Sequence, residues 1–233
     1  MLILGVVFIR TFLFSTFYIP SGSMLPSLRI GDVLVVSKMP YGFCKFSLPF
    51  GHKLPGSGRL GAWGRPQRGD IVVFRLPDNN STDFVKRVVG LPGDRIAIRQ
   101  GVVWINGSSL DDQPQKSYYA YQGADQPTGV VMRRILGQRV HSVVKTYQPG
   151  EGPADTMTEM TVPNGHYFMM GDNFDNSKDS RYLHAVGPIP EDHIIGRVEI
   201  VLGSYDYVRP RWPSWYGIPY PPILKQRFLK LIH

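Results

Sequence analysis

The chain lacks the residues that several common kinds of site require. It has one cysteine, Cys44, among 233 residues, so an internal disulfide is excluded. Its six histidines show neither an HExxH motif nor paired i, i+4 spacing, which leaves a zinc site without local support. The acidic segment GDNFDNSKDSR (171–181) has Ser177 where a calcium loop needs glycine, and Leu183 where it needs its final glutamate. We therefore expect no metal site.

Acidic residues are also few. The 26 Lys and Arg outnumber the 18 Asp and Glu, which leaves a formal charge of +8 and a pI near 9.6. This excess would suit either nucleic acid or anionic lipid headgroups, and charge alone does not choose between them. The 20 prolines and 25 glycines, spread among short Val- and Ile-rich runs, disfavour long helices. We predict one main fold that is mainly β.

The N-terminus is the most apolar part of the chain. Its first 19 residues, MLILGVVFIRTFLFSTFYI, contain no acidic side chain and one basic one, Arg10. This length is close to the roughly 20 residues that a membrane-spanning helix needs. A cleavable signal peptide is disfavoured because a positive n-region and a small-x-small cleavage site are both missing. We predict an uncleaved transmembrane anchor over residues 1–17, with a buried core helix as the alternative.

The strand signals lie on both sides of a region of different character. GDVLVVSK (31–38) and GDIVVFRL (69–76) are apolar runs of strand length, separated by a loop over 39–68. Residues 82–110 predict a strand at 83–89 and then a hairpin through Arg99-Gln100-Gly101. Strand patterns resume at 157–173 and 196–207.

Four segments follow from these signals. We predict a membrane-anchored core of antiparallel β-sheet, barrel-like in form, and an inserted β-ribbon region with a strand pair near MRRILGQRVHSVVKTY. The C-terminal tail mixes Trp, Tyr and Pro with Lys and Arg, which suits either a membrane interface or a tail packed on the protein surface. The predicted boundaries are 1–17 for the anchor, 18–107 and 157–207 for the core, 108–156 for the insertion and 208–233 for the tail.

A serine-rich turn, FYIPSGSMLPSL, follows the apolar N-terminus. Its prolines restrict φ and Gly22 permits conformations closed to other residues, so the turn can be sharp and rigid. Such a loop can present a hydroxyl beside its own backbone N–H, as a nucleophile next to an oxyanion hole requires. The Ser142-x-x-Lys145 match is a decoy, because RVHSVVKTY is β-branched and predicts a strand, where that spacing does not align the two side chains.

Lys86 in the strand DFVKRVV is a candidate base for a serine. With a period of two, it shares a face with Phe84 and Val88. Burial between these apolar neighbours would disfavour the ammonium form and lower the lysine pKa, whereas the neighbouring Arg87 stays protonated. The alternative is an edge-strand lysine with its head group in water. His166 and His184 could serve a Ser/His/Asp arrangement, but nothing in the sequence favours it.

Four segments in a fixed order resemble one family. After the apolar N-terminus come IPSGSMLPSL, GDIVVFRLP, TDFVKRVVGLPGD and GDNFDNSKDSR. Over roughly residues 10–200 this order resembles the bacterial type I signal peptidases, the serine/lysine leader peptidases. The resemblance implies that Ser23 is the nucleophile and Lys86 the general base. It also implies that Ser21 joins the Ser23 N–H in the oxyanion hole, and that Ser177 orients the lysine.

The resemblance extends to residues around these groups. It implies a structural ion pair between Asp179 and Arg181, while Phe174 stands where many family members carry arginine. The positions that match the substrate pockets of the family are Ile19, Met24, Leu28, Phe84 and Val85.

By the same resemblance, the expected activity is removal of signal peptides from exported preproteins after small-x-small motifs, without a metal or cofactor. The expected partners are preprotein signal peptides and membrane lipid, with no nucleic acid, and the chain is expected to be a monomer. The expected location is the inner (cytoplasmic) membrane, single-pass, with the catalytic domain on the periplasmic side. Two alternatives are a dedicated Ser/Lys processing peptidase and a non-catalytic membrane-anchored β module that binds extended peptides or lipid.

Overall fold

The structure is a computed structural model. It describes residues 12–48, 51, 56, 58–61, 63–78, 81–110, 112–119, 129–205, 214–215, 218–219 and 227–232. Within these ranges the chain forms β-strands and short 3-10 helices and no α-helix. The mainly β prediction is confirmed.

The strands are numbered in chain order. They are β1 (Phe14–Tyr18), β2 (Asp32–Ser37), β3 (Phe43–Cys44), β4 (Arg59–Leu60), β5 (Ile71–Arg75), β6 (Asp83–Gly90), β7 (Arg95–Arg99), β8 (Val102–Ile105), β9 (Ser108–Ser109), β10 (Asp112–Tyr119), β11 (Gly129–Leu136), β12 (Arg139–Lys145), β13 (Met157–Thr161), β14 (His166–Met170), β15 (Ile189–Pro190), β16 (Ile194–Ser204), β17 (Ser214–Trp215), β18 (Ile218–Pro219) and β19 (Lys230–Leu231). The 3-10 helices are Met39–Tyr41, Lys45–Ser47, Phe174–Asn176 and Glu191–His193.

The main sheet is antiparallel, in the order β1-β2-β16-β5-β6-β14-β15, with β19 added beside β16. The strands predicted at 31–38, 69–76 and 83–89 correspond to β2, β5 and β6, so these predictions are confirmed. The predicted antiparallel sheet is confirmed; among the described residues no pairing joins β1 to β15, so the sheet is open between these two strands.

Strand β6 is the element that carries Lys86. It pairs with β5 from Asp83 to Arg87, which sets Val72 opposite Lys86, and with β14 from Arg87 to Gly90. The side chains of β6 pass from exposed at Asp83 to buried at Lys86. Lys86 is 4% exposed although β14 does not pair with it, so its burial comes from the segments that pack over β6 and not from a second neighbouring strand.

Two smaller sheets lie outside the main sheet. Strands β10, β11 and β12 form one, and its β11–β12 hairpin is the strand pair predicted near residues 132–147. The other has the order β13-β7-β8-β9 and contains the predicted hairpin through residues 99–101. In the predicted loop, β3 pairs with β4, and β17 pairs with β18 near the C-terminus.

The predicted anchor over 1–17 needs a correction at its C-terminal boundary. Phe14–Tyr18 are strand β1, which pairs antiparallel with β2, and their side chains alternate between exposed and half-buried. Aromatic and β-branched residues in this alternation favour a half-buried strand, and the unpaired edge of β2 provides its partner. Residues 1–11 lie outside the described residues. Across the described ranges, no helix combines the length and hydropathy needed to cross a membrane.

The serine-rich turn is anchored in the core of the main sheet. The side chains of Ile19, Met24 and Leu28 belong to one buried cluster with residues of β2, β5 and β16. Backbone hydrogen bonds from Ile19 N–H to the Asp32 carbonyl (2.9 Å) and from Gly31 N–H to the Ile19 carbonyl (2.9 Å) close its base. Three apolar side chains and a closed base therefore fix residues 19–31 against the sheet, and we call this segment the serine loop.

Candidate active site

The serine loop brings Ser23 to the lysine that the sequence singled out. Nζ of Lys86 lies 2.6 Å from Oγ of Ser23, within hydrogen-bond distance. Ser23 is half-buried, while Lys86 is 4% exposed. Within the described ranges no histidine contacts Ser23, so Lys86 is the titratable group beside this hydroxyl.

The environment of Lys86 favours its neutral form. Burial lowers its pKa from 10.5 to about 8, with Arg181 adding to the decrease, while the charges of Asp179 and Asp172 oppose it. The Phe84 ring lies below the amine, 5.3 Å from Nζ to the ring centroid. A pKa near 8 leaves a substantial neutral fraction at mildly alkaline pH, which a general base requires.

A cleft of about 490 Å³ opens above these two groups. Its apolar walls include Ile19 and Met24 from the serine loop, and Phe84 and Val85 from β6. Ser21 lines the same cleft and is exposed. The other lining residues are Phe17, Tyr18, Pro20, Thr82, Asp83, Asn176 and Lys178.

Of the five residues predicted for the substrate pockets, Leu28 is the exception. It is fully buried in the core and does not line the cleft. The reason is its backbone: the Leu28 N–H bonds back to the Met24 carbonyl (2.9 Å), and the turn directs the side chain into the sheet. Leu28 supports the serine loop from beneath.

The segment 171–181, which we call the acidic loop, packs directly against the serine loop. The Asn173 N–H donates to the Ser23 carbonyl (3.1 Å) and the Asn173 side chain to the Gly22 carbonyl (3.0 Å). Gly171 leaves no room for a side chain, since a Cβ there would lie 2.5 Å from the Ser23 carbonyl oxygen and 2.2 Å from Oγ of Ser177. The two loops therefore meet backbone to backbone.

Ser177, predicted to orient the lysine, lies beside this contact. Its hydroxyl oxygen is buried and makes no hydrogen bond within the described part of the chain. The acidic loop thus brings Ser177 close to the backbone of Ser23, but a hydrogen bond from its hydroxyl to Lys86 is not formed in this structure.

Asp179 and Arg181 form an ion pair inside the acidic loop. The Nε–Oδ1 distance is 2.8 Å, and both side chains are completely buried. Asp179 also accepts the Gly171 N–H (2.9 Å), while the Arg181 guanidinium stacks over the Phe174 ring at 4.2 Å. The pair thus joins the two ends of the acidic loop, and the Phe174 ring packs against the guanidinium of Arg181.

Sequence reasoning missed a second buried pair behind the site. Arg87 binds Asp172 through two hydrogen bonds of 2.8 and 2.6 Å, and the hydroxyl of Ser27 donates to the same carboxylate at 2.5 Å. Burial alone would raise the pKa of Asp172, but the charge and hydrogen bonds of Arg87 outweigh it and the pKa is lowered. The alternation of β6 already placed Arg87 on the face opposite Lys86; its partner, 85 residues away, had no local signal.

The donor set of the site does not suit a metal. Within the described ranges no group of three His, Cys, Asp or Glu side chains is arranged to hold an ion. The arrangement consists of a hydroxyl, a buried amine and apolar walls, which is what nucleophilic catalysis by a serine requires.

The chain was compared with families of known proteins. The family model described as signal peptidase, peptidase S26, matches residues 1–203. Among curated proteins, signal peptidase I of Pseudomonas aeruginosa is 34% identical over 219 residues, which cover 90% of this chain and 68% of the relative. Signal peptidase I of Pseudomonas fluorescens is 36% identical over 221 residues, with the same coverage.

Two further matches are a third curated relative and a solved structure. Signal peptidase I of Buchnera aphidicola from Acyrthosiphon pisum is 31% identical over 246 residues, which cover 91% of this chain and 75% of the relative. A crystal structure of a signal peptidase I from Enterococcus faecalis is 26% identical and covers 57% of this chain and 96% of that chain. Its TM-score is 0.34, too low for an inference about the fold.

Proposed function

The chain belongs to the signal peptidase family, peptidase S26, and we propose that it is a membrane-bound serine endopeptidase that removes signal peptides from exported preproteins. One observation carries the proposal beyond family membership: Nζ of Lys86 lies 2.6 Å from Oγ of Ser23 at the base of an apolar cleft. A serine hydroxyl beside a buried lysine with a lowered pKa has the base that it needs to act as a nucleophile.

The proposed reaction proceeds through an acyl-enzyme. Neutral Lys86 takes the proton of Ser23 as Oγ attacks the scissile carbonyl carbon, and the carbonyl oxygen becomes an oxyanion. The Ser23 N–H and the hydroxyl of Ser21 are the proposed donors to that oxyanion. The ammonium of Lys86 then protonates the leaving amine. A water molecule, deprotonated by Lys86, finally hydrolyses the ester to release the signal peptide.

The walls of the cleft support a preference for small side chains around the cleavage site. Ile19, Met24, Phe84 and Val85 restrict its apolar space, so larger substrate side chains would overlap with them. The first residues of β6 have β5 on one side only, because β14 begins opposite Arg87. This open edge supports binding of an extended substrate segment as an added strand.

The proposed setting is the inner membrane, with the catalytic domain on the periplasmic side and a single-pass anchor. The positive charge of the chain suits anionic lipid, and most of the predicted anchor lies in residues 1–11, outside the described residues. The proposed partners are preprotein signal peptides and membrane lipid, with no nucleic acid. The proposed enzyme is a monomer and uses no metal or cofactor.

The non-catalytic β module remains the alternative from another class. It predicts a solvated Lys86, whereas the side chain is 4% exposed and contacts Ser23. A binding module gains nothing from burying this amine, since moving a charged group out of water is unfavourable. The dedicated processing peptidase shares the same dyad, and differs in cleaving one substrate instead of many preproteins.

The test is cleavage of a purified preprotein with an Ala-x-Ala site by the full chain. We expect Ser23→Ala and Lys86→Ala to retain the fold and lose turnover by at least about 10³-fold. The two residues act as one catalytic unit, so removal of either one should reduce kcat nearly as much as removal of both. Ser142→Ala and Lys45→Ala are the matched controls and should cleave like wild type, because neither residue lines the cleft. Full activity in either dyad variant would overturn the assignment.

A further inference from the structure

Asn173 holds the peptide group that carries the proposed oxyanion donor. We propose that Asn173 is a positioning residue for the oxyanion hole: by binding the Gly22 carbonyl it directs the Ser23 N–H into the cleft. This inference rests on the proposed function, because only an acyl-transfer reaction needs that N–H. Asn173 does not touch the reacting atoms itself.

A trans peptide bond fixes the relative directions of its two polar groups. The carbonyl of one residue and the N–H of the next point in opposite directions across the same plane. The amide nitrogen of Asn173 donates to the Gly22 carbonyl at 3.0 Å from within the core, so the Ser23 N–H in that plane points the other way. Within the described part of the chain, that N–H donates to no protein acceptor.

Glycine makes this restraint necessary. Gly22 has no Cβ and a wide range of backbone angles, so the Gly22–Ser23 peptide plane could rotate with little steric resistance. Two donors oppose the rotation at the same carbonyl: the Asn173 side chain and the Leu25 N–H at 3.1 Å. The Leu25 bond is local and moves with the turn, whereas Asn173 ties the plane to a separate element.

Asn173 is itself well fixed. It is 3% exposed, and its own N–H donates to the Ser23 carbonyl at 3.1 Å, so it restrains the peptide planes on both sides of Ser23. The preceding residue, Asp172, is bound by Arg87 through two hydrogen bonds. Because a carbonyl only accepts, the side chain must present its NH₂ group to Gly22. An uncharged amide does this without adding a charge near Lys86.

The experiment compares the steady-state kinetics of the wild-type chain, Asn173→Ala and Asn173→Asp on the preprotein. Asn173→Asp keeps the shape of the side chain but replaces the donor by a carboxylate oxygen. We expect kcat to fall about 10- to 100-fold in both variants with KM within about twofold, a smaller loss than removal of an oxyanion donor itself. Asn164→Ala, a change at an exposed turn residue, is the matched control and should cleave like wild type.

A second readout separates positioning from a general structural role. A peptide aldehyde reacts with Ser23: Oγ bonds to the aldehyde carbon, the hydroxyl proton moves to Lys86, and the aldehyde oxygen becomes an oxyanion. An otherwise identical peptide alcohol binds the cleft without this step. We expect the variants to bind the aldehyde about tenfold more weakly and the alcohol equally well. The inference would be overturned if the variants bound both ligands more weakly by the same factor, or if they bound both as tightly as wild type does.

Failure of this inference is distinguishable from failure of the proposed function. If wild type cleaves no preprotein, the proposed function fails. If wild type cleaves and the Asn173 variants keep their kcat, only the inference fails. Thermal unfolding of each variant accompanies the assay, and a variant that is unfolded at the assay temperature is compared with wild type below its melting temperature.

Discussion

At the scale of single residues, the alternation of one strand predicted the candidate base. The pattern of DFVKRVV set Lys86 between Phe84 and Val88, and in the structure its amine lies over the Phe84 ring while Val88 is fully buried. The pattern did not indicate which residues from other segments approach Lys86. Ser23, Asp172 and Asp179 reach Lys86 from segments 63 to 93 residues away, and periodicity within a strand carries no information about such partners.

The buried amine has a consequence for stability. The folded pKa of Lys86 is about 8, below the 10.5 of the unfolded chain, so between these values the unfolded state binds more protons. Burial therefore destabilises the fold below about pH 8, and this penalty disappears as the pH rises through 10.5. We expect Lys86→Met to raise the free energy of unfolding by roughly 1–3 kcal/mol at pH 7 while removing activity.

The measurement is denaturant unfolding of wild type and Lys86→Met at pH 7 and at pH 10.5. The difference between the two proteins should be largest at pH 7 and should shrink at the higher pH. If Lys86→Met were less stable than wild type at pH 7, and its free energy of unfolding changed with pH as that of wild type does, burial of Lys86 would not destabilise the fold.

At the scale of elements, the serine loop is held from three directions. Strand β6 supplies Lys86, the acidic loop binds the backbone of residues 22 and 23, and the C-terminal segment approaches from behind. In that segment Arg227 donates to both carboxylate oxygens of Asp32 and to the Ser27 carbonyl (3.2 Å). Asp32 in turn accepts the Arg29 N–H at 2.8 Å, so the pair closes the end of the loop.

We expect Arg227→Ala to destabilise the protein by about 3–5 kcal/mol, because it leaves the buried carboxylate of Asp32 without an opposite charge. The two side chains of this pair are 6% and 0% exposed. Since the same arginine holds the Ser27 carbonyl, kcat on the preprotein should fall as well. Thermal or denaturant unfolding measures the first effect and the cleavage assay the second.

Arg95→Ala is the matched control for this prediction. Arg95 pairs with Glu159 at 3.8 Å, and the two side chains are 58% and 43% exposed. Removal of such a surface pair should change stability by at most about 1 kcal/mol. If Arg227→Ala were as mild as Arg95→Ala, the C-terminal segment would not support the serine loop.

At the scale of the whole molecule, the sequence predicted strands better than their arrangement. Local apolar alternation and turn residues located β2, β5, β6 and the β11–β12 hairpin. The position of β16 between β2 and β5 could not be predicted, because strands far apart in sequence pair through backbone groups that every residue carries. Hydropathy extended the predicted anchor over residues 14–17, which belong to β1, because apolar aromatic residues suit a half-buried strand as well as a membrane span.

In the candidate active site, too, the sequence indicated some of the residues and only the structure revealed the others. Ser23 and Lys86 came from a resemblance and a strand pattern, and the structure brings them to 2.6 Å. The buried network of Arg87, Asp172 and Asn173 that supports the serine loop emerged only from the folded chain. Polar residues of this kind look like ordinary turn residues in a sequence, since their burial depends on what packs over them.

The central claim is that a buried, neutral Lys86 is the base for Ser23. The most direct test is the pH dependence of kcat/KM for preprotein cleavage, which reports the pKa of the essential base in the free enzyme. We expect an acid limb with its midpoint near the pKa of about 8 for Lys86, and a plateau above it. A limb centred near the ordinary histidine pKa of about 6.5, or a flat profile between about pH 6 and 10, would contradict it.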